Sequence, residues 1–249
     1  MIKLSRYTAF VLLISALTLH SVQAKEMTVD LSSSIVQITT GFSGAELLLF
    51  GVAPEDGDVV IVIRGPQEQL IVRKKERLFG IWVNQDQFTF KDIPSFYAMA
   101  SNRPLDQFLP GSIAAIQQIG IPNLDLAAVN PDEIEKVQGH YRHALIRNKQ
   151  RQNLYKWKPE PLIFLGSGLF RTTLRFPSNV SVGTYGIDVH LIRKGELISS
   201  ETTLMHVRKF GIEAGIYDFA HRYSLAYGIF AIIIASFAGW AANAAFRKS

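Results

Sequence analysis

A mostly β body followed by one C-terminal transmembrane helix is the fold class this sequence predicts, on three observations. Short apolar runs separated by turn residues recur about every 10 to 12 residues between Met27 and Ile93, the spacing of all-β domains. A second region from Leu162 alternates apolar and polar residues with period two. Ser224 to Phe246 then runs 23 residues without a charge, about 35 Å as a helix and long enough to span a bilayer with some tilt.

The first 24 residues carry Lys3 and Arg6, an apolar run from Ala9 to Leu19, and then Val22-Gln23-Ala24, the form of an export signal cut after Ala24. Eleven apolar residues reach only about half of the hydrocarbon core, so this run is too short for an anchor. Removing it lowers the net charge from +5 to +3, too weakly basic to point to nucleic acid as a partner. The chain has no cysteine, which rules out disulfides, thiolate nucleophiles and Cys-ligated metal sites.

The expected organisation is a first sandwich part over residues 25–94, a helical insertion over 95–161, and a second sandwich part over 162–210. A juxtamembrane helix over 211–223, the transmembrane helix over 224–246 and a cytoplasmic tail over 247–249 follow. Val59 to Ile63 is continuously apolar, as a central strand buried on both faces requires. Asp56-Gly57 and Asn84-Gln85-Asp86 supply turn chemistry, and Arg64-Gly65-Pro66 reads as the central strand bending into a turn. Trp82 is a candidate core anchor, and Lys74, Lys75, Glu76 and Arg77 form a basic patch between two strands.

Five of the ten prolines fall between Pro94 and Pro131. Asn130-Pro131-Asp132-Glu133 then reads as a helix start, with an Asn cap, Pro in the first turn and acids at the positive helix end. That helix is expected to run to about Trp157, where Pro159 and Pro161 stop it. In the second β region Phe170, Thr172, Leu174 and Phe176 share one face, as do Tyr185, Ile187, Val189 and Leu191. Arg193-Lys194-Gly195-Glu196 reads as a hairpin turn. Gly183-x-Tyr185 followed by alternating aliphatics resembles the penultimate strand of immunoglobulin-like sandwiches, where a tyrosine closes a corner. The body is therefore expected to be an immunoglobulin-like β-sandwich with a helical insertion. Two small sandwiches are the competing organisation, because six runs precede the insertion.

Arg222 on one side and Arg247-Lys248 on the other bracket the membrane helix, and with an exported body the latter pair stays cytoplasmic. Ala231, Ala235 and Gly239 recur every four residues, and Asn243 continues the stripe with an amide, a surface suited to helix pairing in lipid. Upstream, Ile212, Ile216, Phe219 and Tyr223 keep helical spacing.

Chemistry-bearing motifs are few. From Lys136 to Lys158 there is no acid, while Arg142, Arg147, Lys149 and Arg151 cluster there with His140 and His143. Such a cluster suits anionic lipid headgroups, an acidic partner or a small oxyanion, or is simply a solvated basic face. The two histidines lack a third ligand, so no metal is expected. Gly41-Phe42-Ser43-Gly44 and Gly166-Ser167-Gly168 do not complete a nucleophile elbow, and no phosphate or dinucleotide loop is present. Asp56, Asp58, Glu76, Asp86 and Asp92 are carboxylates that only spatial assembly could make catalytic. The expectation is a protein that is not an enzyme and carries no cofactor.

The stretches 31–51 (LSSSIVQITTGFSGAELLLFG), 59–66 (VVIVIRGP), 72–84 (VRKKERLFGIWVN) and 88–105 (FTFKDIPSFYAMASNRPL), with the C-terminal span, resemble an uncharacterised family of alphaproteobacterial transmembrane proteins. The resemblance covers most of the body, and IRGP and GIWVN are its distinctive segments. It implies an inner-membrane protein of unknown function, associated with exporters of the sulfite and sulfonate class, and it carries no catalytic residues; the export signal and the charges flanking the span lead to the expectation that the bulk is periplasmic. The leading expectation is an accessory or scaffold protein whose partners are an integral inner-membrane protein, sought among transporters, and membrane lipid. An anionic-ligand-binding module is the runner-up, and a hydrolase with spatially assembled carboxylates the third.

Overall fold

A computed structural model describes residues 27–54, 56–128, 134–211, 217 and 219–246. The signal segment, the helix start at 130–133, Ile212, Ile216 and the tail at 247–249 lie outside the described residues.

Two sheets face each other. The first has the order β1-β3-β11-β10, built from β1 (Thr28–Leu31), β3 (Gly44–Val52), β10 (Ile163–Gly166) and β11 (Leu169–Pro177). The second has the order β2-β13-β12-β4-β7-β9, from β2 (Ile35–Ile38), β4 (Asp58–Arg64), β7 (Tyr97–Ser101), β9 (Glu160–Pro161), β12 (Gly183–Arg193) and β13 (Glu196–Lys209). Each sheet draws strands from both β regions of the sequence, and one buried apolar cluster fills the space between them. The run Val29 to Ile38 divides at Ser32-Ser33-Ser34, so β1 joins one sheet and β2 pairs parallel with β13 in the other.

β4 is the central strand that its continuous apolar run predicts, with Val59, Val60, Ile61, Val62 and Ile63 all buried. Phe170, Leu174, Phe176, Tyr185, Ile187 and Val189 point into the same core at alternate positions. Tyr185 is buried, and its Oη donates to the Ser181 carbonyl at 2.8 Å, closing the corner before β12. Lys194 (φ 53°) and Gly195 (φ 80°) form the tight turn between β12 and β13.

Three expectations change. Arg64-Gly65-Pro66 does not turn. The β4 and β7 ladder continues through it, with Gly65 N–H donating to Phe96 O (2.8 Å) and Ser95 N–H to Pro66 O (2.9 Å), into β5 (Gln67–Leu78) and β6 (Ile81–Pro94). A side chain at Gly65 would press on Ser95 and Phe96, so the glycine serves close strand approach. Asn84-Gln85-Asp86 likewise lies inside β6; the turn is Phe79-Gly80, where both residues have positive φ. Finally, the segment expected to open a helical insertion begins instead with β7, whose five residues are all buried.

β5 and β6 form a hairpin arm, with β8 (Ala127–Ala128) added beside Phe90 and Lys91. Register shifts at Glu68/Leu70 and Arg73/Lys75 mark bulges that bend and twist the ribbon. Between β7 and β9 lie two short 3-10 turns, α1 (Gly111–Ile116) and α2 (Ile134–Arg151). α2 ends before Trp157 because Asn153 adopts φ 59° and the chain caps itself, with Asn153 N–H on Gln150 O and Leu154 N–H on Lys149 O, both at 2.9 Å. α3 (Ser224–Phe246) is the membrane helix.

Candidate functional site

The base of the arm packs on α2. Phe88 stacks on Tyr141 with ring centroids 5.5 Å apart, and Phe90, Val72 and Leu145 are buried beside them. Towards the tip this joint opens into a cleft of about 560 Å³ lined by Arg73, Lys74 and Lys75 of β5, Asp86 of β6, and His140 and Arg147 of α2. Four fixed cations and an imidazole thus face one carboxylate, an arrangement that attracts anions. Lys74 also bridges to Glu76 along its own strand.

The four basic residues singled out from the sequence separate here. Arg147 lines the cleft. Lys149 is buried at 4% exposure, paired with Glu68 and donating to Ser95 O at 3.2 Å, so it fastens α2 to the arm. Arg142 donates to Pro122 O (3.0 Å) and Leu124 O (2.9 Å), clamping the loop before the helix; burial lowers its pKa from the ordinary guanidinium value. Arg151 is exposed in the last turn of α2. Sequence reasoning missed Arg73 as a cleft residue, because only strand pairing brings it beside α2.

Two buried tyrosines in edge contact, with ring centroids 6.1 Å apart, tie down the segments next to this joint. Tyr97 Oη donates to Gln118 O (2.9 Å) and accepts from Gly120 N–H (2.7 Å), and burial pushes its pKa up to about 12. Tyr155 Oη donates to Pro94 O at 2.7 Å, and burial raises its pKa as well.

The carboxylates are dispersed. Asp58 is held by Arg103 (2.6 Å) and Asn102, Asp56 by Arg193 (3.1 Å), and Glu76 by Lys74. Asp92 lines a second cleft, of about 390 Å³, with Asp125, Arg64 and Thr184. Arg64 is itself engaged by Asp188 and the Gln117 carbonyl. Among the described residues no three His, Asp or Glu side chains group as metal ligands; His140 lines the basic cleft and His143 is exposed.

Trp82 is not a core anchor. It is 66% exposed, because β5 and β6 extend beyond the sandwich and the arm outruns the helix that covers its base.

α3 carries a 20-residue window, Ser224–Asn243, of mean hydropathy 1.9 with none of it buried against the body. Ala231, Ala235, Gly239 and Asn243 are all exposed, and a side chain added at Gly239 would meet nothing within 4 Å. The outer face of the four-stranded sheet is mixed: exposed Val52 of β3 pairs with Leu169 of β11, while Arg171 stands between Phe50 of β3 and Ile163 of β10 and Thr173 lies opposite Leu48.

A β-sandwich body with, among the described residues, one long apolar helix uncovered near the C-terminus is the architecture of a membrane-anchored protein. Residues 26–248 match the family described as "Putative transmembrane protein (Alph_Pro_TM)", and the chain belongs to that family. No curated protein matches it.

Proposed function

We propose that this protein is a periplasmic accessory or scaffold subunit of an inner-membrane complex, anchored by α3 with its C-terminus in the cytoplasm. The observation that carries this reading is the small-residue stripe of Ala231, Ala235 and Gly239, uncovered within the chain on a helix with no charged residue. Such a stripe lets a second helix approach closely in lipid, and Asn243 adds an amide for an interhelical hydrogen bond. The exposed Leu48, Phe50, Val52 and Leu169 on the outer face of the β1-β3-β11-β10 sheet, interspersed with Arg171 and Arg175, support a second contact outside the bilayer. The strand orders, with β2 added in parallel beside β13, and the Tyr185 corner support an immunoglobulin-like body, a fold common in contact modules. The role is non-catalytic, and the partner is a polytopic membrane protein, sought first among exporters of the sulfite and sulfonate class.

Purification of the full chain in mild detergent tests it. A polytopic protein should co-purify in fixed ratio, and Gly239→Leu should reduce its recovery several-fold without lowering the yield of the chain itself. Recovery of the chain alone from both native membranes and gentle extracts contradicts the reading.

The basic cleft favours a second reading, an anionic-ligand-binding module. In that case a small oxyanion binds the full chain with salt-sensitive affinity, and Arg147→Glu abolishes binding while Arg151→Glu does not. A hydrolase would rest on Asp92 and Asp125, and no ordered nucleophile and base accompany them among the cleft residues.

A further inference from the structure

We propose that the tip of the β5–β6 arm is a second membrane contact, inserting Phe79, Ile81 and Trp82 into the interface of an anionic bilayer while the basic residues behind them engage lipid headgroups. Leu78, Phe79, Ile81 and Trp82 are 44, 103, 68 and 66% exposed, four consecutive large apolar side chains but for Gly80. Behind them stand Arg73, Lys74, Lys75 and Arg77, with Glu76 and Asp86 as the acids of this outer part of the ribbon; Glu68 and Asp92 lie at its base. An aromatic and aliphatic cap above a basic collar is the composition that suits a headgroup boundary, where indole and phenyl rings enter the interface and Lys and Arg meet anionic lipid.

The register fixes the direction in which the arm leaves the sandwich. β4 and β13 both run antiparallel to β12 and hence parallel to each other. Opposite Gly186 stand Arg64 on one side and Leu204 on the other; opposite Gly183 stands Val207, and a side chain at Gly183 would strike Pro66 at 2.8 Å. The chain therefore enters the arm from the same end of the sheet at which β13 hands over to the membrane helix. Twelve strand residues at about 3.3 Å each give the arm roughly 40 Å of contour. The 14 residues between Lys209 and Ser224 span about 20 Å as a helix and about 50 Å extended. The contour of the arm thus falls within the range of separations that a tether of this length can bridge.

Local chemistry points the same way. Position 79 has φ 48°, the first of two left-handed positions in a two-residue turn, where Asn, Asp or Gly is the ordinary choice. A phenylalanine there, wholly exposed, serves neither the turn nor the core, and local rules are broken in this manner at functional sites.

This inference needs only the membrane anchor and is independent of any partner subunit. The cysteine-free chain allows single labels: Phe79→Cys or Trp82→Cys at the tip, and Glu196→Cys at the opposite end of β13, each carrying an environment-sensitive fluorophore on the full chain in proteoliposomes of phosphatidylethanolamine and phosphatidylglycerol. Spin-labelled lipid should quench both tip labels several-fold more than the label at 196, iodide should do the reverse, and Lys74→Glu with Lys75→Glu should remove most of the difference. Iodide quenching at the tip equal to that at 196 overturns the proposal. So does shielding of the tip from both quenchers, or shielding that arises only when another membrane protein co-reconstitutes, which would make the tip a protein contact.

Discussion

The two halves of the hairpin arm are one ribbon with opposite surroundings. At its base, Val72, Phe88 and Phe90 are buried against α2, and Lys149 crosses from the helix to Glu68. Past the bulge at Arg73/Lys75, comparable apolar residues face outward at Leu78, Phe79, Ile81 and Trp82. A two-stranded ribbon is marginal by itself, so the base is stable because a helix supplies its missing layer. The difference teaches that β-type patterning marks a strand but leaves its partner unnamed. At the base the partner is within the chain; at the tip none of the described residues covers the apolar side chains.

Phe90→Ala should break the base most severely. Truncating a fully buried Phe costs about 3–5 kcal/mol, read as a lowered urea midpoint of the full chain in micelles. If the loss is below about 1 kcal/mol, α2 and the arm do not share a core. Lys149→Ala comes next, because it strands Glu68 and the Ser95 carbonyl. Glu68 keeps 31% side-chain exposure, so the cost is smaller than for a sealed pair, about 1–3 kcal/mol.

A smaller effect lies in the sandwich. His190 is 2% exposed, its Nδ1 meets Ser200 Oγ at 2.9 Å, and burial lowers its pKa despite nearby Asp188. The unfolded chain thus binds the proton more readily than the folded one. This contribution is fully present above the unfolded imidazole value of about 6.5 and is lost as pH falls from there towards the folded value. His190→Asn should flatten that part of the acid loss, measured as melting temperature against pH; an unchanged profile would show that other groups govern it.

Phe79→Gly sharpens the contrast with the smallest change in stability. Relief of a left-handed Phe is worth about 1 kcal/mol and is partly offset by the freedom glycine adds to the unfolded chain. The fold should therefore stay within about 0.5 kcal/mol of its parent while contact of the tip with lipid weakens. A large destabilisation would mean that the tip packs on the body after all.

Much of the sandwich is legible in the sequence for physical reasons. Five consecutive apolar residues, all Val or Ile and preceded by Asp56-Gly57, suit a strand covered on both faces, which identifies β4, and 23 uncharged residues identify α3. The arm was harder. Gly65-Pro66 carries turn chemistry, yet the ladder there uses the Gly65 N–H and, of the proline, only the carbonyl, so the strand passes through it. β7 is five residues long and flanked by Pro94 and Pro104, too short for its period to declare itself. Of the four helical cations only Arg147 lines the candidate cleft, because periodicity cannot tell a cation that faces solvent from one, like Lys149, that finds a carboxylate on a strand 81 residues away. Arg73 entered the cleft through strand pairing alone.

Membrane topology is the most direct test of the central claim, that α3 holds the body on the outer side of the inner membrane. Single cysteines at Glu196 and at Ser249 in the full chain are treated with a membrane-impermeant maleimide on intact spheroplasts. The account predicts labelling at 196 at once and at 249 only after the membrane is permeabilised. Labelling of both positions from outside, or release of the intact chain into the soluble fraction, would contradict it.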